Sequence, residues 1–146
     1  MSRRMSFVLL LVLAMMSGCL GAIDDEQAID QTLDMWQNSF RTNEKDFLAT
    51  MTDLVQMSAL DDELLDVVYI GTKQSFAIWF AQIGPDQIRL EDREVTRTGK
   101  EAVVNTRFHW SREDEEGEDE FLFRMVKQGN KWLIRELVVL DAMGKA

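Results

Sequence analysis

The sequence predicts one α+β domain, with helices packed against a single antiparallel sheet, behind a short N-terminal leader. Two observations support this prediction. Apolar residues recur with a helical period in the first half of the chain, and they alternate with a period of two from residue 87 onwards. The composition also changes near residue 20, because the chain before it has two charges and no acid, whereas the chain after Gly21 is rich in acids. With 146 residues, the chain is long enough for one domain with its own core.

The leader has the three parts of a signal peptide. Arg3 and Arg4 form a charged head, residues 7–16 form an apolar stretch, and the small residues Ser17 and Gly18 follow. The apolar stretch is too short to cross a bilayer as a helix, which takes about 20 apolar residues. The leader is therefore predicted to direct export and to be removed afterwards.

The stretch Met16-Ser17-Gly18-Cys19 resembles the lipobox of prokaryotic lipoproteins, although leucine is commoner at the place of Met16. The resemblance implies cleavage before Cys19, lipid on the Cys19 thiol, and membrane attachment through that lipid. The predicted organisation is a signal peptide (1–18), a lipidated tether (19–24) and a folded domain (25–141). Two alternatives are cleavage after Ala22, which would need the large Leu20 in the minus-three position, and an uncleaved anchor, which would need a longer apolar span.

The export route and the destination follow from neighbouring residues. The pair Arg3-Arg4 suits twin-arginine export, but Phe7 lies one place too far from the pair, so general export is predicted. Leu20 is not the aspartate that usually marks retention in the inner membrane. The protein is therefore expected in the outer membrane of a Gram-negative cell or, because its domain is acidic, in the cell membrane of an archaeon.

The charge balance limits the partners. Removal of the leader leaves 14 basic and 26 acidic residues, a net charge of −12. This charge repels phosphate backbones and anionic lipid, so nucleic acid is not expected as a partner and membrane attachment is expected to be covalent or hydrophobic. The single cysteine excludes an internal disulfide and a multi-cysteine metal site.

No metal or cofactor is predicted. The acidic run over residues 113–120 suggests calcium, but its Gly117 would place Arg112 at the first ligand position of an EF-hand loop. The run is therefore interpreted as a solvated hairpin loop.

Three helices are predicted, two of them with a cap. The first follows the apolar stripe Ile29, Leu33, Trp36 and Phe40. Asn43, with Asp46 three residues later, caps a second helix. The third helix starts at Thr72 and stops at Gly84-Pro85. The buried sides of the second and third helices are predicted to be Phe47, Leu48 and Met51, and Phe76, Trp79, Phe80 and Ile83, respectively.

Four strands in an antiparallel meander follow, over residues 88–97, 102–110, 121–125 and 132–138. In the last strand, Trp132, Ile134, Glu136 and Val138 are predicted to share one face. Residues 53–70 show no clear period. Within them, 54–57 and 67–70 suit short strands, and 58–66 suits a capped helical turn.

The order of these elements resembles the nuclear transport factor two-like superfamily over residues 25–140. The matching segments are 28–40, 42–46, 71–83, 99–104 and 129–134, whereas 58–68 departs from the usual compact connection. The resemblance implies a cone-shaped fold with a curved sheet around a helix, an apolar cavity and frequent homodimers. The superfamily includes ketosteroid isomerase, dehydratases, polyketide cyclases and members that only bind, so the fold does not give the function.

Three residues are candidates for proton transfer. Glu136, on an otherwise apolar face, would have a raised pKa, unless it pairs with Arg107 or Arg124. His109 points away from Phe108 and Trp110, which favours an exposed or interface histidine over a catalytic base. Asp53 lies near the mouth of the expected cavity and is a weaker candidate.

Large aromatic side chains are the candidate ligand contacts, because they line apolar cavities as well as cores. These candidates are Trp36, Tyr69, Trp79, Phe108 and Trp110. The sequence thus predicts a lipid-anchored, non-enzymatic module that binds a small hydrophobic ligand or a protein, as a homodimer. The alternatives are a small lyase or isomerase and a structural partner of an envelope complex. A closed apolar cavity with one buried acid would favour the enzyme, and a filled core would favour the scaffold.

Overall fold

The computed structural model describes residues 24–61 and 64–143, so the predictions for the signal peptide and for Cys19 lie outside the described residues. None of the helices in these two ranges is long and apolar enough to cross a membrane. In chain order the elements are α1 (Asp25–Ser39), α2 (Glu44–Ala49), β1 (Met51–Asp61), β2 (Leu64–Thr72), α3 (Lys73–Ile83), β3 (Gln87–Thr98), β4 (Glu101–Arg112), β5 (Glu115–Gln128) and β6 (Lys131–Met143).

The helices form where their caps and apolar stripes predict them. The Asn43 side chain accepts a hydrogen bond from the Asp46 N–H at 3.1 Å, and the Thr72 hydroxyl accepts one from the Ser75 N–H at 3.2 Å. Caps of this kind each stabilise a helix by about 1 kcal/mol. Helix α2 ends earlier than predicted, because Met51 already begins β1, where it is still buried.

The sheet has six strands in the order β2-β1-β6-β5-β4-β3. The predicted meander is confirmed as β3 to β6, and β1 adds to it parallel to β6. The helical turn predicted over 58–66 is wrong, because β1 and β2 pair there as antiparallel strands. Strand β2 lies at the sheet edge, and its residues 64–68 are exposed on both faces, so its apolar residues need not alternate and give no period.

A bulge in β6 reverses the face of Glu136. Arg124 of β5 pairs with Glu136, but the next residue, Met125, pairs with Ile134, so Arg135 is an extra residue. An extra residue moves the side chains that follow it, here residues 136–139, to the opposite face. Ile134 and Leu137 are therefore buried on the helix side, and the prediction that Glu136 shares a face with Trp132 and Ile134 is wrong.

The acidic run is mostly strand, not loop. Only Glu113 and Asp114 form the turn between β4 and β5, and residues from Glu115 onwards pair with β4. The run is thus a hairpin, as predicted, but most of its carboxylates are held in the sheet.

The core between the helices and the sheet is filled with aromatic rings. Trp36 lies at its centre, fully buried, with ring centroids 5.4 Å from Phe47, 5.9 Å from Phe80 and 5.2 Å from Phe123. Its indole N–H has no hydrogen-bond partner within the described residues.

The domain has two ends, which differ in the turns and helix ends that form them. The tether end, residues 24–26, 97–101 and 127–131, consists of the start of α1, the β3–β4 turn and the β5–β6 turn. The two turns are joined by a hydrogen bond from the Lys127 N–H to the Lys100 carbonyl at 2.9 Å. The mouth end (residues 83–86 and 110–119) holds the end of α3 and the β4–β5 turn, where the Asp86 N–H donates to the Ser111 carbonyl at 2.8 Å.

Candidate functional site

A pocket of about 240 Å³ opens at the mouth end, between the end of α3 and the helix-facing side of the sheet. We call it the mouth pocket. Its walls are mainly apolar and include four aromatic rings, and its two ionisable side chains have opposite charge. The lining includes Phe80, Phe108, Trp110, Arg112, Asp119 and Phe121.

Strand alternation brings these side chains to one face. Phe108, Trp110 and Arg112 are alternate residues of β4, and Phe108 pairs with Asp119 in the ladder to β5. The rings of Phe108 and Phe121 stack, with centroids 4.0 Å apart and planes 9° from parallel. Together they form a flat apolar wall next to the filled core.

Trp110 lies across the neighbouring strand because residue 117 is a glycine. Gly117 pairs with Trp110, and a Cβ atom at position 117 would lie 2.5 Å from the indole ring. Such a distance is well inside van der Waals contact. The glycine of the acidic run therefore shapes the pocket wall.

The polar groups of the pocket come from both layers. The Arg112 guanidinium donates to the carbonyl of Ile83, the last residue of α3, at 3.4 Å. Asp119 is half-buried on the same face of the sheet as Phe108. An apolar wall with one cation and one carboxylate suits a small compound that has a hydrophobic body and a polar end.

Two of the five predicted ligand contacts, Phe108 and Trp110, line the mouth pocket. Trp36 is a fully buried core residue. Tyr69 and Trp79 stack on each other between β2 and α3, with centroids 5.0 Å apart, and do not line this pocket.

None of the three proton-transfer candidates lines the mouth pocket. Glu136 lies on the outer face of the sheet, the face without helices, 3.2 Å from the Arg124 guanidinium, and it accepts a hydrogen bond from Gln56 at 3.3 Å. The arginine pairing that the sequence left as the alternative for Glu136 is thus formed with Arg124, whereas Arg107 lies 3.3 Å from Asp92 instead. The Asp53 side chain is 99% exposed, 3.8 Å from the Lys73 ammonium.

His109 lies on the outer face between two carboxylates. Its Nε2 is 2.9 Å from Glu91 and 3.1 Å from Glu118, which are ion-pair distances, although the N–H direction suits neither oxygen as a hydrogen bond. The pKa of Glu91 is lowered, chiefly by the hydrogen bond from Arg89 and further by the charge of His109. Charged neighbours thus surround His109 on the outside of the sheet, away from the mouth pocket.

Sequence reasoning missed Asp119 and Arg112. The signal was present, because Asp119 continues the alternation of Phe121 and Phe123 back into the acidic run. It was hidden by the density of acids, which is typical of a solvated turn.

A larger groove of about 540 Å³ lies at the tether end, between α1, the end of α2 and the β5–β6 turn. Beside it, the Thr32 hydroxyl donates to the Trp132 carbonyl at 2.8 Å. Its walls come from helix flanks and a turn, and aromatic rings do not converge there as they do in the mouth pocket. We therefore place the candidate site at the mouth end.

Within residues 24–61 and 64–143, no group of histidine, cysteine, aspartate or glutamate side chains has the arrangement of a metal site.

Neither a protein-family model nor a curated protein matches this sequence. Solved structures do match, over most of the chain. A nuclear transport factor two-like protein of unknown function from Shewanella oneidensis is 14% identical, with a TM-score of 0.64 over 81% of this chain and 100% of its own. A protein of unknown function with a cystatin-like fold from Nostoc punctiforme is also 14% identical, with a TM-score of 0.64 over 80% and 90% of the two chains. A nuclear transport factor two-like protein of unknown function from Pseudomonas putida is 14% identical, with a TM-score of 0.62 over 83% and 94%.

The predicted fold class is therefore confirmed: the helices and the curved six-stranded sheet form a nuclear transport factor two-like, or cystatin-like, fold. At 14% identity the likeness shows the fold and not the function.

Proposed function

We propose that this protein is a lipoprotein of the cell envelope whose domain binds a small hydrophobic compound in the mouth pocket without converting it. The observation that carries the proposal is the distribution of aromatic side chains. The rings around Trp36 fill the core, and at the edge of this core Phe80, Phe108, Phe121 and Trp110 line a pocket that opens to solvent. A filled core beneath an open aromatic pocket favours binding over chemistry in an enclosed site.

The size of the pocket limits the ligand. At about 240 Å³ the mouth pocket is smaller than the roughly 300–1,000 Å³ of sites that enclose drug-sized ligands. The ligand is therefore a small molecule, or the end of a longer apolar one. Arg112 would hold an acceptor group at the rim, and Asp119 would hold a donor.

Binding is tested with N-phenyl-1-naphthylamine, an uncharged probe whose fluorescence rises in apolar sites and which the acidic mouth end does not repel. Trp110→Ala should weaken probe binding at least several-fold. Trp79→Ala is the matched control, because Trp79 is a half-buried tryptophan outside the pocket, and it should bind the probe like the wild type. Equal binding by both variants, with melting curves that show both folded, would contradict the proposed site.

Membrane attachment is supported by the apolar leader and by the small residues before Cys19. Cys19→Ser in the full-length precursor should abolish lipid labelling and release the domain from membranes. If the variant fractionates with membranes as the wild type does, and the wild type carries no lipid on Cys19, the lipoprotein proposal is wrong.

A lyase or isomerase is the second candidate function, and Asp119 is the observation that favours it. Unlike Glu136 and Asp53, Asp119 lines the mouth pocket. A carboxylate beside an apolar wall is placed to take a proton from a carbon next to a carbonyl group. Deuterium exchange into cyclohexanone in heavy water tests this activity. If the wild type catalyses this exchange and Asp119→Asn loses it while still binding the probe, the protein is an enzyme and the binding-only proposal is wrong.

Self-association is part of the proposed function. The outer face of β1 and β2 carries apolar residues that are 43–69% exposed, namely Leu54, Leu60, Leu65, Val67 and Ile70. The described residues of the two strands place no charged side chain on this face, and an exposed apolar area on an acidic domain is typical of a protein contact. A second copy, related by two-fold symmetry, would cover this face with the same face.

A further inference from the structure

We infer that the anchored domain stands on its tether end, next to the lipid headgroups, with the mouth pocket directed away from the membrane. This inference rests on the lipid anchor proposed above. It follows from two independent features, which are the length of the chain between Cys19 and the domain and the charge of the two ends.

The start of α1 is fixed at the tether end. The Asp25 carboxylate accepts hydrogen bonds from the Lys127 ammonium and the Trp132 indole N–H, each at 3.0 Å, and lies 3.1 Å from the Arg97 guanidinium. Three strand ends thus hold the first turn of the domain. The chain leaves the domain at this end, next to the two turns.

The tether is short compared with the domain. Five residue steps separate Cys19 from Asp24, and an extended chain covers at most about 18 Å over that distance. Strand β4 has 12 residues and runs from the tether end to the mouth end, a length of about 36 Å. With the mouth against the membrane, Asp24 would lie about 36 Å away, beyond the reach of the tether.

The charges of the two ends disfavour an orientation in which the domain tilts until its mouth end touches the membrane. The tether end is balanced, with four basic and four acidic residues. The mouth end has one basic residue, Arg112, against seven acidic ones, and residues 113–116 are exposed. An anionic membrane surface attracts nearby lysines and repels carboxylates. Lys100 and Lys131 are exposed at the two turns of the tether end, the end that faces such a surface in this orientation.

The orientation matters for binding. A pocket that opens away from the lipid would take its ligand from the aqueous compartment or from a partner in it. A pocket next to the headgroups would instead take a ligand from the bilayer.

The experiment uses the full-length, lipidated protein in vesicles of phosphatidylglycerol and phosphatidylcholine. Single cysteines replace Lys100, Asp114 or Ile70, and each carries a fluorophore, because lipid occupies the native Cys19 thiol. A quencher on the lipid headgroup then reports which position is near the membrane. We expect strong quenching at position 100 and several-fold weaker quenching at 114 and at 70.

Two results would overturn the inference. Quenching at 114 equal to that at 100 would show that the mouth end reaches the membrane. Strongest quenching at 70 would show that the apolar outer face of β1 and β2 lies on the bilayer. A lipid-free Cys19 by mass spectrometry would instead reject the lipoprotein proposal, so the two failures are distinguishable.

A second variant separates the effect of tether length from the effect of charge. A flexible insertion of about 20 glycine and serine residues before Asp24 gives the chain enough reach for the opposite orientation. In neutral phosphatidylcholine vesicles it should raise quenching at position 114, whereas in anionic vesicles quenching should stay low because of the acidic end. Unchanged quenching at 114 in neutral vesicles would show that tether length does not orient the domain.

Discussion

Asp25 is the residue that joins the first helix to the sheet. Its carboxylate is shared by Trp132, Lys127 and Arg97, which come from three strands. The hydrogen bonds from Trp132 and Lys127 favour the charged carboxylate, so the pKa of Asp25 is lowered from 3.8. From the sequence alone, Asp25 is an acid in the first turn of a helix, where it interacts favourably with the helix dipole, and its contacts with the sheet are not predicted.

The lowered pKa of Asp25 predicts acid sensitivity. Because the folded state prefers the charged form, Asp25 stabilises the fold above pH 3.8, and this contribution is lost as the pH falls through its lower, folded-state pKa. Asp25→Asn should therefore be less stable than the wild type at pH 7, and the difference should shrink near pH 3. Urea unfolding at the two pH values measures it.

Glu26→Gln is the control for this prediction, since it removes a charge from the same helical turn and leaves the contacts of Asp25 in place. It should match the wild type at both pH values. If Asp25→Asn differs from the wild type by the same free energy of unfolding at pH 7 and at pH 3, the pKa of Asp25 is not lowered in the folded state.

At the scale of elements, the bulge in β6 decides which side chains face the core. Arg135 is the extra residue between the pairs Met125–Ile134 and Arg124–Glu136. Without it, the alternation of β6 would turn Glu136 towards the helices, as the sequence pattern predicts. The bulge instead lets Glu136 pair with Arg124 on the outer face.

Deletion of Arg135 should therefore damage the fold. It would move Glu136 into the apolar core, where an unpaired carboxylate costs several kcal/mol unless it is protonated. Arg135→Ala keeps the bulge and should change the free energy of unfolding by less than about 0.5 kcal/mol. Thermal unfolding of the two variants compares these effects, and a deletion variant as stable as Arg135→Ala would show that the bulge does not fix the register.

At the scale of the whole molecule, charge and apolar surface are separated. The acids concentrate at the mouth end, whereas the exposed apolar residues concentrate on the outer face of β1 and β2. A dimer through that face would bury apolar side chains and leave the acidic ends in solvent. It would also leave both mouth pockets open.

A charge on the outer face should separate the proposed dimer. Ile70 is 69% exposed, so Ile70→Asp should leave the monomer folded but place two repelling carboxylates in the contact. Analytical ultracentrifugation should show a dimer for the wild type and a monomer for the variant. Ile78→Asp is the matched control, because Ile78 is 57% exposed on α3 and lies outside the face. A wild type that stays monomeric at high concentration would rule out the proposed contact.

The sequence by itself determined the features that depend on neighbours along the chain. Local pattern predicts three kinds of feature because each lies within a single helix or strand. These are the apolar stripe of α1, the caps at Asn43 and Thr72, and the alternation in β4. Two residues of the mouth pocket, Phe108 and Trp110, were found in the same way.

Only the tertiary structure decided the features that depend on a partner strand. The β1–β2 pair, the bulge at Arg135 and the place of Asp119 opposite Phe108 are set by the register between adjacent strands, which the period within one strand does not give. A strand of a given sequence can present either face, and a shift by one residue exchanges the faces, so the pairing decides which carboxylate lines the pocket. The pattern pointed to Glu136, and the register placed Asp119 there instead.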